Sequence, residues 1–213
     1  MSNSARTERQ RLAELLTAAG PDAPTLCEGW TTRDLAAHLV LRERRADAAP
    51  GIRVQALAGW TARVQAGYAE RPYEELVQLF RSGPPRLSPF ALPGVDEAAN
   101  TVEYFVHAED VRRAVEWEPQ EVSTELAQAL WRRLPMLTRL EAGRKTPVRL
   151  SLRWPGTGSL EFGPRGTDQV ELTGSPAELT LFTFGRGART TLQVEGPAQA
   201  VEALGAVLPL PRD

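Results

Sequence analysis

The sequence predicts a helical bundle over residues 1–145, followed by a small α+β domain over residues 146–213. Two observations carry that division. As far as about residue 143 the apolar positions recur every three or four residues, as on one face of a helix, and beyond Lys145-Thr146-Pro147 they alternate, as in strands. With 213 residues, 42% hydrophobic and 24% charged, the chain has the size and composition to bury a substantial core without disulfides.

Residues 5–19 place Leu12, Leu15 and Leu16 at helical spacing, and Gly20-Pro21 stops that helix. After the loop PDAPTLCEGW, Thr31 and Asp34 have the spacing of a capping box, so a second helix is expected from about Thr32 to Asp47. Pro50-Gly51 interrupts it. The next stretch, IRVQALAGWTARVQAGYAE, carries Val54, Leu57, Val64 and Tyr68 near one side and ends before Pro72; a shorter helix, YEELVQLFRS, follows. The proline-rich segment 83–94 reads as a long loop crossing one end of the bundle. A long helix then runs from Val95 to about Trp117, and another from about Ser123 to Ala142.

In the tail, VRLSLRW and SLEFG alternate on either side of a PGTG turn, and DQVELTG and TTLQVEG add two further strands. SPAELTLFTFG reads as a short helix capped by Ser175, and PAQAVEALGAVL as a closing helix.

The 25 basic and 27 acidic residues nearly cancel, leaving a formal charge of -2, so no net field favours nucleic acid or an anionic membrane surface. The arginine-bearing start, the single cysteine (Cys27) and the shortness of the apolar runs point to a soluble, reducing, cytoplasmic setting, as a monomer or homodimer. A single lysine, Lys145, among the basic residues reflects composition bias, which weakens any inference from arginine counts.

Histidine is scarce. His38 and His107 are the only two, and both fall in helical patterns. Glu103 and His107 are four apart, so their side chains leave one helix face a turn apart and can offer an oxygen and an imidazole nitrogen to a divalent ion. His38, from another helix, would complete a set with an open coordination position, as in catalytic zinc sites. Residue patterning leaves another reading open: Glu103 and His107 as a surface pair, and His38 as a core imidazole satisfied by Asp34 four residues earlier. Asp34 would equally serve behind a metal-bound ring.

Both stretches also carry a resemblance. PTLCEGWTTRDLAAHLVLRE and NTVEYFVHAEDVRRA resemble the two signatures of the mycothiol-dependent maleylpyruvate isomerase-like proteins, part of the DinB-like metal-binding superfamily of four-helix bundles. The tail resembles the small, sterol-carrier-like C-terminal module that several members carry. The resemblance implies metal ligands at His38, Glu103 and His107, a divalent ion such as Zn2+, and a low-molecular-weight thiol, mycothiol or bacillithiol, as cosubstrate. It further implies isomerisation of a small electrophilic substrate, or transfer of the thiol to one. The closest subgroup has a second histidine after the ligand histidine where this chain has Ala108, a change expected to spare the ligands and alter the rim of the site.

Four further residues lie within reach of this set. Arg42, one turn after His38, could hold a substrate carboxylate or belong to a solvated RERR face; Asn100 shares the Glu103/His107 face; Asp110 could bond an imidazole or pair with Arg113; Asp34 has been named. Cys27 reads as a small buried hydrophobe with no base identifiable beside it, and Trp30 as a staple of the loop onto the bundle, with an aromatic wall of the substrate pocket as the alternative. GRGAR at 185–189 lacks the spacing of a phosphate loop. The competing function is a noncatalytic metal- or small-ligand-binding protein whose tail encloses an apolar ligand.

Overall fold

The computed structural model describes residues 4–85, 95–115, 118–143 and 145–211, without the side chains of residues 95, 96, 98 and 99. The chain forms two compact units, Met1–Trp117 and Glu118–Asp213.

In the first unit, α1 (Ser4–Ala19) buries Leu12, Ala13 and Leu16 completely and packs chiefly along α5 (Val95–Val115). Gly20 ends α1 with φ 75°, a left-handed turn that glycine adopts without a Cβ penalty. α2 (Thr32–Arg44) begins as expected: the Asp34 carboxylate accepts the Thr31 backbone N–H at 3.0 Å and its hydroxyl at 2.9 Å. It ends three residues earlier than the pattern suggested, because Arg45 leaves helical geometry (φ -122°, ψ 76°) and pairs with Asp47.

The stretch after Gly51 is not one helix. Two single 3-10 turns, Ala49–Ile52 and Gln55–Leu57, precede α3 (Ala58–Ala69), leaving Val54 and Leu57 exposed while Val64 is buried. Gly51 permits the tight approach, since a Cβ there would lie 2.5 Å from the Leu57 carbonyl oxygen. α4 (Tyr73–Arg81) turns Leu76, Val77 and Phe80 into the core formed with Leu12, Leu16, Leu35, Leu39 and Tyr104. Most of the loop expected at 83–94 lies outside the described residues.

Two buried ionic groups tie this unit together. Arg9 of α1 reaches Glu43 of α2 (3.2 Å) and Tyr104 of α5 (2.8 Å). Glu109 of α5 accepts from Arg112 and Arg113 (2.6 Å each) and from Arg11 of α1. Both sites satisfy charges that would be costly to bury alone.

The second unit contains α6 (Thr124–Glu141), capped by Ser123, whose Oγ accepts the Leu126 N–H at 3.2 Å. The compact unit therefore begins at residue 118, ahead of the change in hydrophobic period at 146, because α6 packs on α7 (Pro176–Thr183) and sends Leu134 into the tail's core. Four strands, β1 (Arg149–Trp154), β2 (Gly158–Phe162), β3 (Gln169–Thr173) and β4 (Gln193–Glu195), form a mixed sheet in the order β2-β1-β3-β4. β1 and β3 run parallel, with Leu150 opposite Val170 and Leu152 opposite Leu172. Those four side chains are buried with Leu179 and Phe182 of α7 and Leu204 of α8 (Ala198–Gly205). Among the described residues no helix is long and apolar enough to cross a membrane.

Candidate metal centre

α2 and α5 bring His38, Glu103 and His107 together. Glu103 Oε1 lies 3.6 Å from His38 Nε2 and 3.3 Å from His107 Nε2, and the imidazole centroids are 5.5 Å apart. One donor atom from each residue falls within 4.8 Å of the others. Bond lengths near 2.1 Å to a tetrahedral ion put donor atoms about 3.4 Å apart, so two imidazole nitrogens and a carboxylate oxygen at these separations fit a divalent ion.

The surroundings hold each group in place. Behind His107, Nδ1 lies 3.0 Å from Asp110 Oδ2, the arrangement by which a carboxylate fixes the tautomer and plane of a ligating ring. Asp110 is wholly buried, and its backbone carbonyl accepts the Leu26 N–H at 3.0 Å, tying the loop before α2 to α5. Cys27, in that loop, donates its thiol to Asp110 Oδ2 at 3.2 Å and places Sγ 3.9 Å from His107 Nδ1. Trp30 lies against His38 with ring centroids 5.1 Å apart and also packs against the bundle core.

Arg42 is turned toward the site: its Nε lies 3.4 Å from Glu103 Oε1, and a terminal nitrogen donates to the amide oxygen of buried Asn100. Asp34, by contrast, is engaged at the start of α2 with Thr31, and the carboxylate beside His38 is Glu103. Asp110 bonds His107, while the Arg113 side chain bonds Glu109. The acceptor that the sequence reading of Cys27 did not identify is the carboxylate of Asp110, 83 positions away, for which helical spacing gives no signal.

These contacts separate the ionisation of the three groups. Burial opposes charge on Glu103, yet hydrogen bonds from His107 and His38 and the charge of Arg42 outweigh it and hold the carboxyl well below the usual range. Burial pushes His38 down. Burial acts in the same sense on His107 but loses to its bonds with Asp110, Cys27 and Glu103, which raise it well above the ordinary imidazole value.

The family model for the mycothiol maleylpyruvate isomerase N-terminal domain matches residues 3–134. The chain belongs to this family. Two solved structures are similar in fold: a histidine-to-alanine mutant of the mycothiol-dependent maleylpyruvate isomerase (13% identity, TM-score 0.54) and the mycothiol-dependent maleylpyruvate isomerase itself (14%, 0.52). In each comparison 90% of this chain and 90% of the other are covered, so the fold likeness extends through the α+β tail. A search of curated proteins gave no match.

Family membership sharpens one difference. Ala108, where a second histidine was expected, is fully buried within the bundle core, so its side chain does not form a rim around the ligand group. The step of about 100° from His107 to the next residue points Ala108 inward. In the tail, a cleft of about 380 Å3 is lined by Trp154, Val122 and Pro176 together with Gln120, Glu121 and Glu178.

Proposed function

We propose that this chain is a divalent-metal-dependent enzyme that uses a low-molecular-weight thiol, mycothiol or bacillithiol, to isomerise a small electrophilic substrate or to join the thiol to one. The observation that carries the reading is the convergence of His38, Glu103 and His107 from two helices, with the far nitrogen of His107 held by buried Asp110. His38, Glu103 and His107 would hold the ion, and their two-nitrogen, one-oxygen chemistry suits Zn2+. Such an ion, when bound, supplies a site at which a thiol is held as thiolate, its nucleophilic form, at neutral pH.

The chain's own residues prepare that site. Asp110 orients His107, Arg42 adds to the two histidines in keeping the Glu103 carboxylate ionised, and Trp30 packs against His38. Three protein donors leave a coordination position for an incoming sulfur.

Cobalt substitution tests the reading. Co2+-loaded protein titrated with mycothiol or bacillithiol is expected to develop a thiolate-to-metal charge-transfer band that Glu103→Ala lacks. Cobalt-loaded wild type whose spectrum stays unchanged with both thiols would instead favour a binding protein without thiol chemistry.

A further inference from the structure

A cleft of about 420 Å3 in the first unit meets the candidate ligand group at His38. Its lining includes Ala58, Ala62, Ala66 and Ala69 of α3, together with Trp30 and His38. The alanines are spaced by four, four and three residues, so they share one face of α3 and present methyl groups rather than long side chains. Indole and alanine surfaces of this kind favour a flat, apolar body, which gains from ring contact as well as from leaving water.

The charge in the cleft points the same way. Apart from His38, the ionisable side chain among its described lining residues is the carboxylate of Asp34. Arg42, the cation beside the ligand group, directs its guanidinium to Glu103 and Asn100. Apart from the attraction of an ion held at His38, a dicarboxylate substrate in this cleft would meet a like charge at Asp34. Gln65, also in the lining, carries an amide N–H suited to a carbonyl oxygen.

We infer that the cleft beside His38 binds an uncharged, planar, conjugated carbonyl compound, of the enone or quinone class, as the electrophile, rather than a dicarboxylate. The inference rests on the proposed function for the word electrophile, and on the cleft alone for the selection of a neutral, flat molecule. It assigns a specificity role to Trp30, Asp34 and the α3 alanine face.

The test is binding of two probes to the full chain stripped of metal and without added thiol, followed by titration calorimetry: benzalacetone, a neutral planar enone, and fumarate, a planar dianion. Benzalacetone is expected to bind at least tenfold more tightly than fumarate. Ala66→Trp, which fills the cleft from an exposed helix position, should weaken benzalacetone at least tenfold, with Ala62→Leu acting in the same direction should the larger side chain perturb folding. Asp34→Asn should tighten fumarate several-fold.

Metal uptake measured on reloaded aliquots of the same protein separates the two readings. Cleft selectivity in protein that takes up no metal would support the cleft and sink the metal-dependent function. Metal uptake with fumarate bound as tightly as benzalacetone, or with benzalacetone unaffected by both alanine replacements, would overturn the inference and leave the metal reading intact.

Discussion

Asp110 Oδ2 sits 3.0 Å from His107 Nδ1, while Nε2 of the same ring faces Glu103 at 3.3 Å. His107 is thereby held from both sides, and its orientation toward the candidate ion depends on a carboxylate that is itself fixed by the Cys27 thiol. Asp110→Asn is expected to lower divalent-metal affinity by about 10- to 100-fold, the effect typical of removing a carboxylate behind a ligating imidazole. Chelator competition on folded protein measures it. Affinity equal to wild type would show that Asp110 serves only to tie the loop to α5.

Ala108 supplies a second test. A histidine at this fully buried core position would overfill the space between helices and bury polar nitrogens. Ala108→His is therefore expected to destabilise the protein by about 1–3 kcal/mol in denaturant melts. Metal stoichiometry should stay at the wild-type level in the folded protein.

The buried charge cluster on α5 predicts an acid limb. Burial alone would raise the Glu109 carboxyl, but Arg112, Arg113 and Arg11 hold it to about 2, below the ordinary 4.5. A carboxyl depressed on folding contributes stability that is present above about pH 4.5 and is lost as pH falls through about 2. Glu8, which burial pushes up, acts in the opposite sense, so the clean comparison is with Glu109→Gln. That variant should be less stable at neutral pH and show a flatter decline between pH 5 and pH 2 in urea melts, the difference being on the order of 3 kcal/mol. Parallel curves for the two proteins would show that Glu109 does not govern the limb.

The other buried ionic group should be equally sensitive. Glu43→Ala leaves the buried guanidinium of Arg9 without its carboxylate, and a loss of about 3–5 kcal/mol is expected in thermal or chemical unfolding. A change below about 1 kcal/mol would mean that water or neighbouring side chains take over the role of Glu43.

What could be read in the sequence follows from the range of each interaction. The i,i+4 spacing of Glu103 and His107 and the capping residues of α2 are local, and the structure reproduces both geometries. Arg42, Asn100, Asp110 and Asp34 lie about a turn from the ligand set in sequence, but their partners depend on packing. Arg42 meets Asn100 and Glu103 across two helices, and Asp34 turns to Thr31 rather than to His38.

Cys27 was illegible for the same reason: it sits in an irregular loop and reaches His107 only through the fold. The sequence pattern marked α6 as a helix but could not say which layer covers the face on which Leu126, Leu130 and Leu134 are buried. It also overextended the third helix, because the approach of Gly51 to Leu57 is a tertiary constraint with no signature in apolar spacing.

Elemental analysis tests the central claim most directly. Untagged wild type, His38→Ala, Glu103→Ala and His107→Ala would be stripped, reloaded under identical conditions and compared. The account predicts close to one divalent ion per wild-type chain, with the ion lost or greatly reduced in all three variants while their helical content is retained. A wild type that stays metal-free after reloading, or variants that keep the ion in full, would contradict it.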